Sequence, residues 1–250
     1  MEKYIIIGLI IVLLLALSGC FGGRAVIGEH KTYEITSDIH SLDIQVNAAD
    51  FVIEHGDKIS VESNLKYLTV TDDNGVLKIV ESKKYAVNYG NATLKLCIPD
   101  NIVFDNVDIN TGAGQLKAAA ISAETMKLKT GAGTVQFSRL DVNSSISIKG
   151  GAGEIRVNDG TLNNLSVDLG VGELDMTAKL LGESNLKFGV GESNLTLIGS
   201  KEDYSFDVKN GIGPVAINDN NVSGFVSGTN GQNLVKIKGG VGEINILFSE

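Results

Sequence analysis

Tryptophan is absent from this chain of 250 residues, and cysteine and proline occur twice each. Arginine is confined to Arg24, Arg139 and Arg156, and histidine to His30, His40 and His55. Each shortage narrows the function. Without tryptophan the usual platform for stacking on sugars is missing. With few arginines and a net charge of −9, nucleic acid and anionic membrane surfaces are poor partners. The histidines share no zinc-ligand spacing with cysteine or with each other, and no Ser/His/Asp arrangement carries a nucleophile motif. Two cysteines do not make a disulfide framework; Cys97, in Ala92–Pro99, is read as a buried thiol. Scarce proline and no 3.6-residue apolar period after residue 20 leave an all-β fold.

Long apolar runs are also missing, save one. Residues 1–20, MEKYIIIGLIIVLLLALSGC, have a weakly basic start and an apolar centre, and end in a cysteine, the pattern of a secretory signal. Leu17-Ser18-Gly19-Cys20 resembles the lipobox of prokaryotic lipoproteins, which implies cleavage after residue 19 and lipidation of Cys20. An uncleaved anchor helix is the alternative. Either way the remainder faces outside the cytoplasm, anchored at the cell membrane, with residues 20–30 as lipidated cysteine and tether.

Glycine is plentiful, with thirty copies, and it is patterned. A Gly-x-Gly core recurs at Gly112, Gly131, Gly151, Gly170, Gly189, Gly211 and Gly240, at spacings of 19, 20, 19, 19, 22 and 29 residues. Apolar residues stand five and three positions before it and four and six after it, from Val107 and Ile109 to Ile244 and Ile246. Alternation of this kind means two half-buried strands flanking every copy. A near-constant period of about twenty residues is the mark of stacked repeats. The spacing predicts a single-stranded, parallel β-solenoid of 19–20-residue rungs with Gly-x-Gly corners, right-handed because parallel crossovers nearly always are. Ile121, Leu140, Leu162, Leu180 and Val222 supply a third side.

The solenoid spans 31–250, regular over 106–250 and irregular over 31–105, where Ala48-Ala49 replaces the glycines and Asp72-Asp73-Asn74-Gly75 signals a capping hairpin. A separate small β-sandwich is the alternative for 31–105. Ser184, Ser193 and Pro214 depart from the repeat. The segment Asn218–Gln232 is long enough to fold over an edge; left uncovered, the last strands would form an open end through which copies could associate.

The repeat offers little chemistry. A dinucleotide fingerprint requires a helix after its glycines, whereas strands follow here, and no cofactor is expected. Glu154, Glu173 and Glu192 share one phase and should form a column that could hold a hard cation such as calcium. Lysines across the same corner favour ion pairs instead: Lys149 with Glu154, Lys187 with Glu192, Lys238 with Glu243. No metal site is therefore expected. Tyr85 and Tyr89, in a polar loop, are candidates for a contact patch.

The lipobox, the opening SLDIQVNAADFVIEHGD, the DDNGVLKI hairpin and the NTGAG, KTGAG and KGGAG rungs resemble the "putative adhesin" β-solenoid family of exported prokaryotic proteins, and are similar to auto-transporter adhesin heads. That resemblance implies the fold and carries no functional residues. The resulting expectation is a non-catalytic, adhesin-like or envelope-structural lipoprotein that meets an unknown surface or membrane-protein partner. An envelope-stress or signalling accessory is the alternative, and a carbohydrate-active β-helix enzyme a weaker one.

Overall fold

The computed structural model describes residues 27–82, 91–228 and 231–249. The signal sequence, Cys20, Tyr85 and Tyr89 lie outside the described residues. Those described are strands and turns, with one short 3₁₀ turn at Lys201–Asp203, and the strands form one continuous open sheet.

The chain enters through β1 (Ile27–Glu34) and reaches β2 (Ser41–His55), the first full rung. Next come β3 (Ser60–Leu65), β4 (Leu68–Asp73), β5 (Val76–Glu81) and β6 (Thr93–Ile98). β5 and β6 together build a rung parallel to β2, with Leu42 beside Leu77 and Phe51 beside Leu94. β4 and β3 cover that rung in antiparallel fashion, and β1 covers β3. Asn74 and Gly75, both at positive φ, form the expected hairpin turn.

The chain then crosses β2 and enters β7 (Phe104–Val157), which pairs with the other edge of β2 through Val107–Leu42 and Leu116–Phe51. Layer order at this end is therefore β5/β6, β2, β7. This register lays residues 41–55 alongside the strand that carries the first Gly-x-Gly corner.

Regular stacking continues through β8 (Gly160–Asn163), β9 (Leu165–Leu181), β10 (Glu183–Val190) and β11 (Ser193–Ile198). Residues nineteen apart are parallel neighbours, as in Ile148–Val167, Val167–Leu186 and Leu174–Ser193. All the flanking positions read from the repeat are buried, including Ser184 and Ser193. Apolar side chains stacked at strand spacing leave water together, each contributing roughly 1.5–3 kcal/mol. The third side exists where Leu162 lies between Val142 and Leu180. Leu140 is displaced by two residues, opposite Gly160. Val222 does not belong to this side; it turns back and donates its N–H to the Val215 carbonyl.

Layer order differs from chain order at the C-terminal end too. β12 (Tyr204–Lys209) and β13 (Val215–Ile217) form the outermost rung, which β14 (Asn220–Asn221) and β15 (Gly224–Val226) cover in antiparallel fashion. β16 (Asn233–Lys238) and β17 (Ile244–Ser249) then slide between it and the preceding rung. Ile237 lies between Leu186 and Val208, and Ile244 between Ser193 and Val215. The expectation that the last rung in sequence closes the stack is thus corrected: that rung is an inner layer, and the 218–226 segment folds over the outer one. Pro214 immediately precedes β13 in this outermost layer, where a sheet tolerates proline. Tyr204 and Phe206 of this layer pack with Phe248 of the layer beneath as an aromatic cluster, and the Tyr204 hydroxyl donates to the Ile198 carbonyl at 2.9 Å.

Ser184 is the one misfit in the described core. Its hydroxyl is buried with no hydrogen-bond partner, where other rungs place Ile146, Leu165 or Val235. An unsatisfied buried hydroxyl costs about 1–3 kcal/mol. Ser184→Ala is expected to raise stability by about 1 kcal/mol in urea denaturation, and an unchanged or lowered midpoint would refute this account of the hydroxyl.

Candidate interaction surface

Every corner is built on the same close approach. A Cβ added at Gly131, Gly151, Gly170, Gly189, Gly240 or Gly211 would strike a backbone carbonyl of the preceding layer, that of Gly112, Gly131, Gly151, Gly170, Gly189 or Gly240 in turn. The second glycine adds a backbone angle, with φ between +110° at Gly114 and +158° at Gly172, which other residues rarely adopt. Glycine is there because backbone lies directly against backbone.

At Asn47-Ala48-Ala49 the corner carries side chains in place of the two glycines. This corner is in register with Ala113 and Gly114 on its inner side. On its outer side β5 ends at Glu81, whose carboxylate accepts the Asn47 N–H at 2.7 Å and whose backbone carbonyl accepts the Asn47 side-chain amide at 3.3 Å. Burial holds the Glu81 carboxyl above its ordinary range, outweighing the hydrogen bonds from the Asn47 and Ala48 amides that pull it down. For a carboxyl raised on folding, stability is present below the ordinary pKa and lost as pH rises through the folded one. Glu81→Gln should therefore gain in melting temperature over the wild type as pH rises from 4 to 7. Glu81→Ala, which leaves two amides without an acceptor, should lose about 2 kcal/mol. A pH-independent gap between wild type and Glu81→Gln would contradict the burial of that charge.

Between the paired glycines a middle residue stands at the corner, packed against the core at Ala113 and exposed from Ala152 onward. Ala152 neighbours Val171, and Val190, Val241 and Ile212 follow in layer order. Val171 and Val190 are each 49% exposed, Val241 46% and Ile212 76%. The corners thus make an apolar ridge that broadens toward the C-terminal end. Sequence reasoning passed over these positions, although an apolar residue between two glycines recurs in all seven copies.

The two flanks of the ridge differ in charge. On the upstream flank Lys149, Asp168, Lys187, Lys238 and Lys209 are consecutive register neighbours. On the downstream flank Glu154 is directly beside Glu173, and the Glu192 carbonyl accepts the N–H of Leu174 in the next layer. The three candidate cation ligands are therefore neighbours, as expected. They do not converge: Glu154 is paired with Arg156, and among the described residues no group of three or more His, Cys, Asp or Glu side chains is placed to share a metal.

The expected pairs across the corner are not formed. Among the described residues Lys149, Lys187 and Lys238 make no ion pair with Glu154, Glu192 or Glu243; Arg156 takes Glu154 and Asp175, and Lys236 takes Glu183. The reason is steric, because the ridge stands between each lysine and its glutamate. Two residues further along, the downstream flank carries a polar ladder. Arg156 donates to Asp175, Asn194 donates to Asp175 at 3.2 Å, and Asn245 donates to Asn194 at 3.3 Å.

Cys97 also departs from expectation. Leu94, Leu96 and Ile98 take the inward positions of β6, so Cys97 points outward and is half-buried, with its thiol 3.7 Å from Glu54 Oε1. The parity of the strand already placed it on that side. His40 and His55 each lie against one aspartate, Asp105 at 3.1 Å and Asp100 at 2.5 Å.

Similar solved structures cover most of the chain at low identity. One is titled a putative cell adhesion protein from Clostridium sporogenes (15% identity, 88% of this chain and 99% of that one, TM-score 0.44). Another is a putative adhesin from Bacteroides fragilis (12%, 87% and 96%, TM-score 0.42), and a third a putative lipid binding protein from Parabacteroides distasonis (16%, 89% and 98%, TM-score 0.37). No curated protein matches the chain. A family model described as Toastrack DUF4097 matches residues 58–247, and with three quarters of its length so matched, the chain belongs to the Toastrack DUF4097 family.

Proposed function

We propose that this chain is a lipoprotein held at the cell membrane through Cys20, facing outside the cytoplasm, and that it works without catalysis as an adhesin-like or envelope-structural interaction protein. Its body is a right-handed parallel solenoid of 19–20-residue rungs. The observation that supports this most is the ladder on the downstream flank, where Arg156, Asp175, Asn194 and Asn245 hold one another in register. Side chains fixed in this way lose little freedom when a partner covers them. The flank is a preorganised flat contact surface, suited to a partner that is itself extended.

The test uses the full-length chain displayed on beads and offered cells, matrix and glycans. Retention should fall several-fold when Asn194 and Asn245 are both changed to alanine, with the melting temperature nearly unchanged. Binding that ignores this change would move the contact off the ladder. If the beads retain nothing and crosslinking in native membranes captures one membrane protein, the adhesive reading gives way to that of a signalling or envelope-stress accessory.

A further inference from the structure

The ridge and its flanks have an unused complementarity. Val171, Val190, Val241 and Ile212 form a continuous row of half-exposed or more exposed apolar side chains, which soluble surfaces seldom leave contiguous. Beside it Lys187 and Lys238 are register neighbours with no carboxylate partner among the described residues. On the far side Glu192 and Glu243 are exposed and equally unpaired there. Within one chain the ridge keeps these charges apart.

We propose that the occupant of this surface is a second copy of the same chain, packed ridge to ridge about a two-fold axis that runs along the stack. The direction of the axis follows from the charges. A two-fold along the stack sets each rung opposite the same rung of the second copy and turns the lysine flank of one toward the glutamate flank of the other. Lys187 then meets Glu192, and Lys238 meets Glu243, across the joint and at equal height. A two-fold across the stack would set lysines against lysines and glutamates against glutamates, which costs several kcal/mol where like charges meet. The contact centres on the C-terminal half, where the ridge carries valine and isoleucine instead of the alanines at Ala113 and Ala152. Only the rung of Asp168 and Glu173 opposes like charges, and Arg156, bonded to Glu154 and Asp175, lies in that neighbourhood. Such an interface is isologous. It leaves the adhesive reading untouched and does not depend on it, since the polar ladder lies two residues beyond the glutamates.

The experiment is a charge swap on the full-length chain in detergent, followed by analytical ultracentrifugation. The wild type should dimerise in a concentration-dependent way. K187E/K238E and E192K/E243K should each self-associate about tenfold or more weakly. Mixed together, the two variants should recover wild-type affinity as a heterodimer, because each then faces its opposite. In a Cys97→Ser background, Val171→Cys and Val190→Cys should each crosslink to their own copy, as a parallel joint requires and an antiparallel one does not. A wild type that stays monomeric, swaps that leave self-association unchanged, a mixture no tighter than its parts, or crosslinking at only one ridge position would overturn the proposal.

Discussion

Gly172→Val is expected to lower stability by about 4 kcal/mol, whereas Glu173→Ala, one residue away, should change it by no more than about 0.5 kcal/mol. The difference is one of backbone. At φ +158° a Cβ on residue 172 would run into the carbonyl and amide of Gly153 in the layer beneath. Nothing in that contact can rotate aside, because both partners are main chain in a ladder that pairs Gly153 with Gly172. The corner must open, losing ladder hydrogen bonds of about 1 kcal/mol each on top of the strain of a valine in a disfavoured conformation, about 1–3 kcal/mol. Gly170→Val should fall between, since its Cβ would lie 2.6 Å from the Gly151 carbonyl oxygen without a positive φ. Thermal unfolding followed by circular dichroism separates the three, with Gly172→Val about 10 °C below the wild type. Equal melting temperatures for Gly172→Val and Glu173→Ala would remove close backbone stacking as the reason for the glycines.

The repeat itself was legible because one physical demand is made at every layer. Each rung must bury two residues on either side of its corner and must keep Cβ atoms out of it, so Ile148, Val167 and Leu186 announce one another at a spacing of nineteen. The family resemblance resting on the same motifs is borne out by the match to residues 58–247. What the repeat does not encode is which rung lies on which. At both ends the chain lays down a rung out of order, and hydrophobic alternation is the same whether β16 follows β12 in the stack or precedes it. Two sites did depart from the repeat. Pro214 precedes a strand of the outermost layer, where proline is admitted, and Asn47-Ala48-Ala49 departs from glycine at a corner whose Asn47 N–H is taken by the Glu81 carboxylate. The lysine–glutamate pairs were misread for a different reason. Distance along the sequence is short across a corner, but outward side chains on the two sides of a convex corner diverge, and the intervening ridge residue separates them further. Cys97 needed only the parity that its neighbours Leu94 and Leu96 supply.

Out-of-order stacking makes the effect of shortening the chain unusual. A stop after Gln232 removes β16 and β17, which in a solenoid stacked in chain order would merely expose the preceding rung. Here it withdraws an inner layer. β12 and β13 make their parallel pairs only with β16 and β17 among the described residues, and Phe248 is lost from the cluster with Tyr204 and Phe206. The outermost rung and its cover, residues 204–226, should detach together, while the layers from β2 to β11 keep their own pairings. Hydrogen exchange should then show the amides of Phe206 and Val208 losing nearly all protection in the truncated chain, while those of Ile148 and Val167 stay protected. Limited proteolysis should cut between residues 199 and 232. A stop after Ile198 should leave β2 to β11 no less stable than the longer truncation does, because the extra residues retained by the longer chain contribute no layer to the stack. Protection at Phe206 that survives the loss of β16 and β17 would mean that the β12/β13 rung lies directly on β10 and β11, and the inserted layer would have to be abandoned.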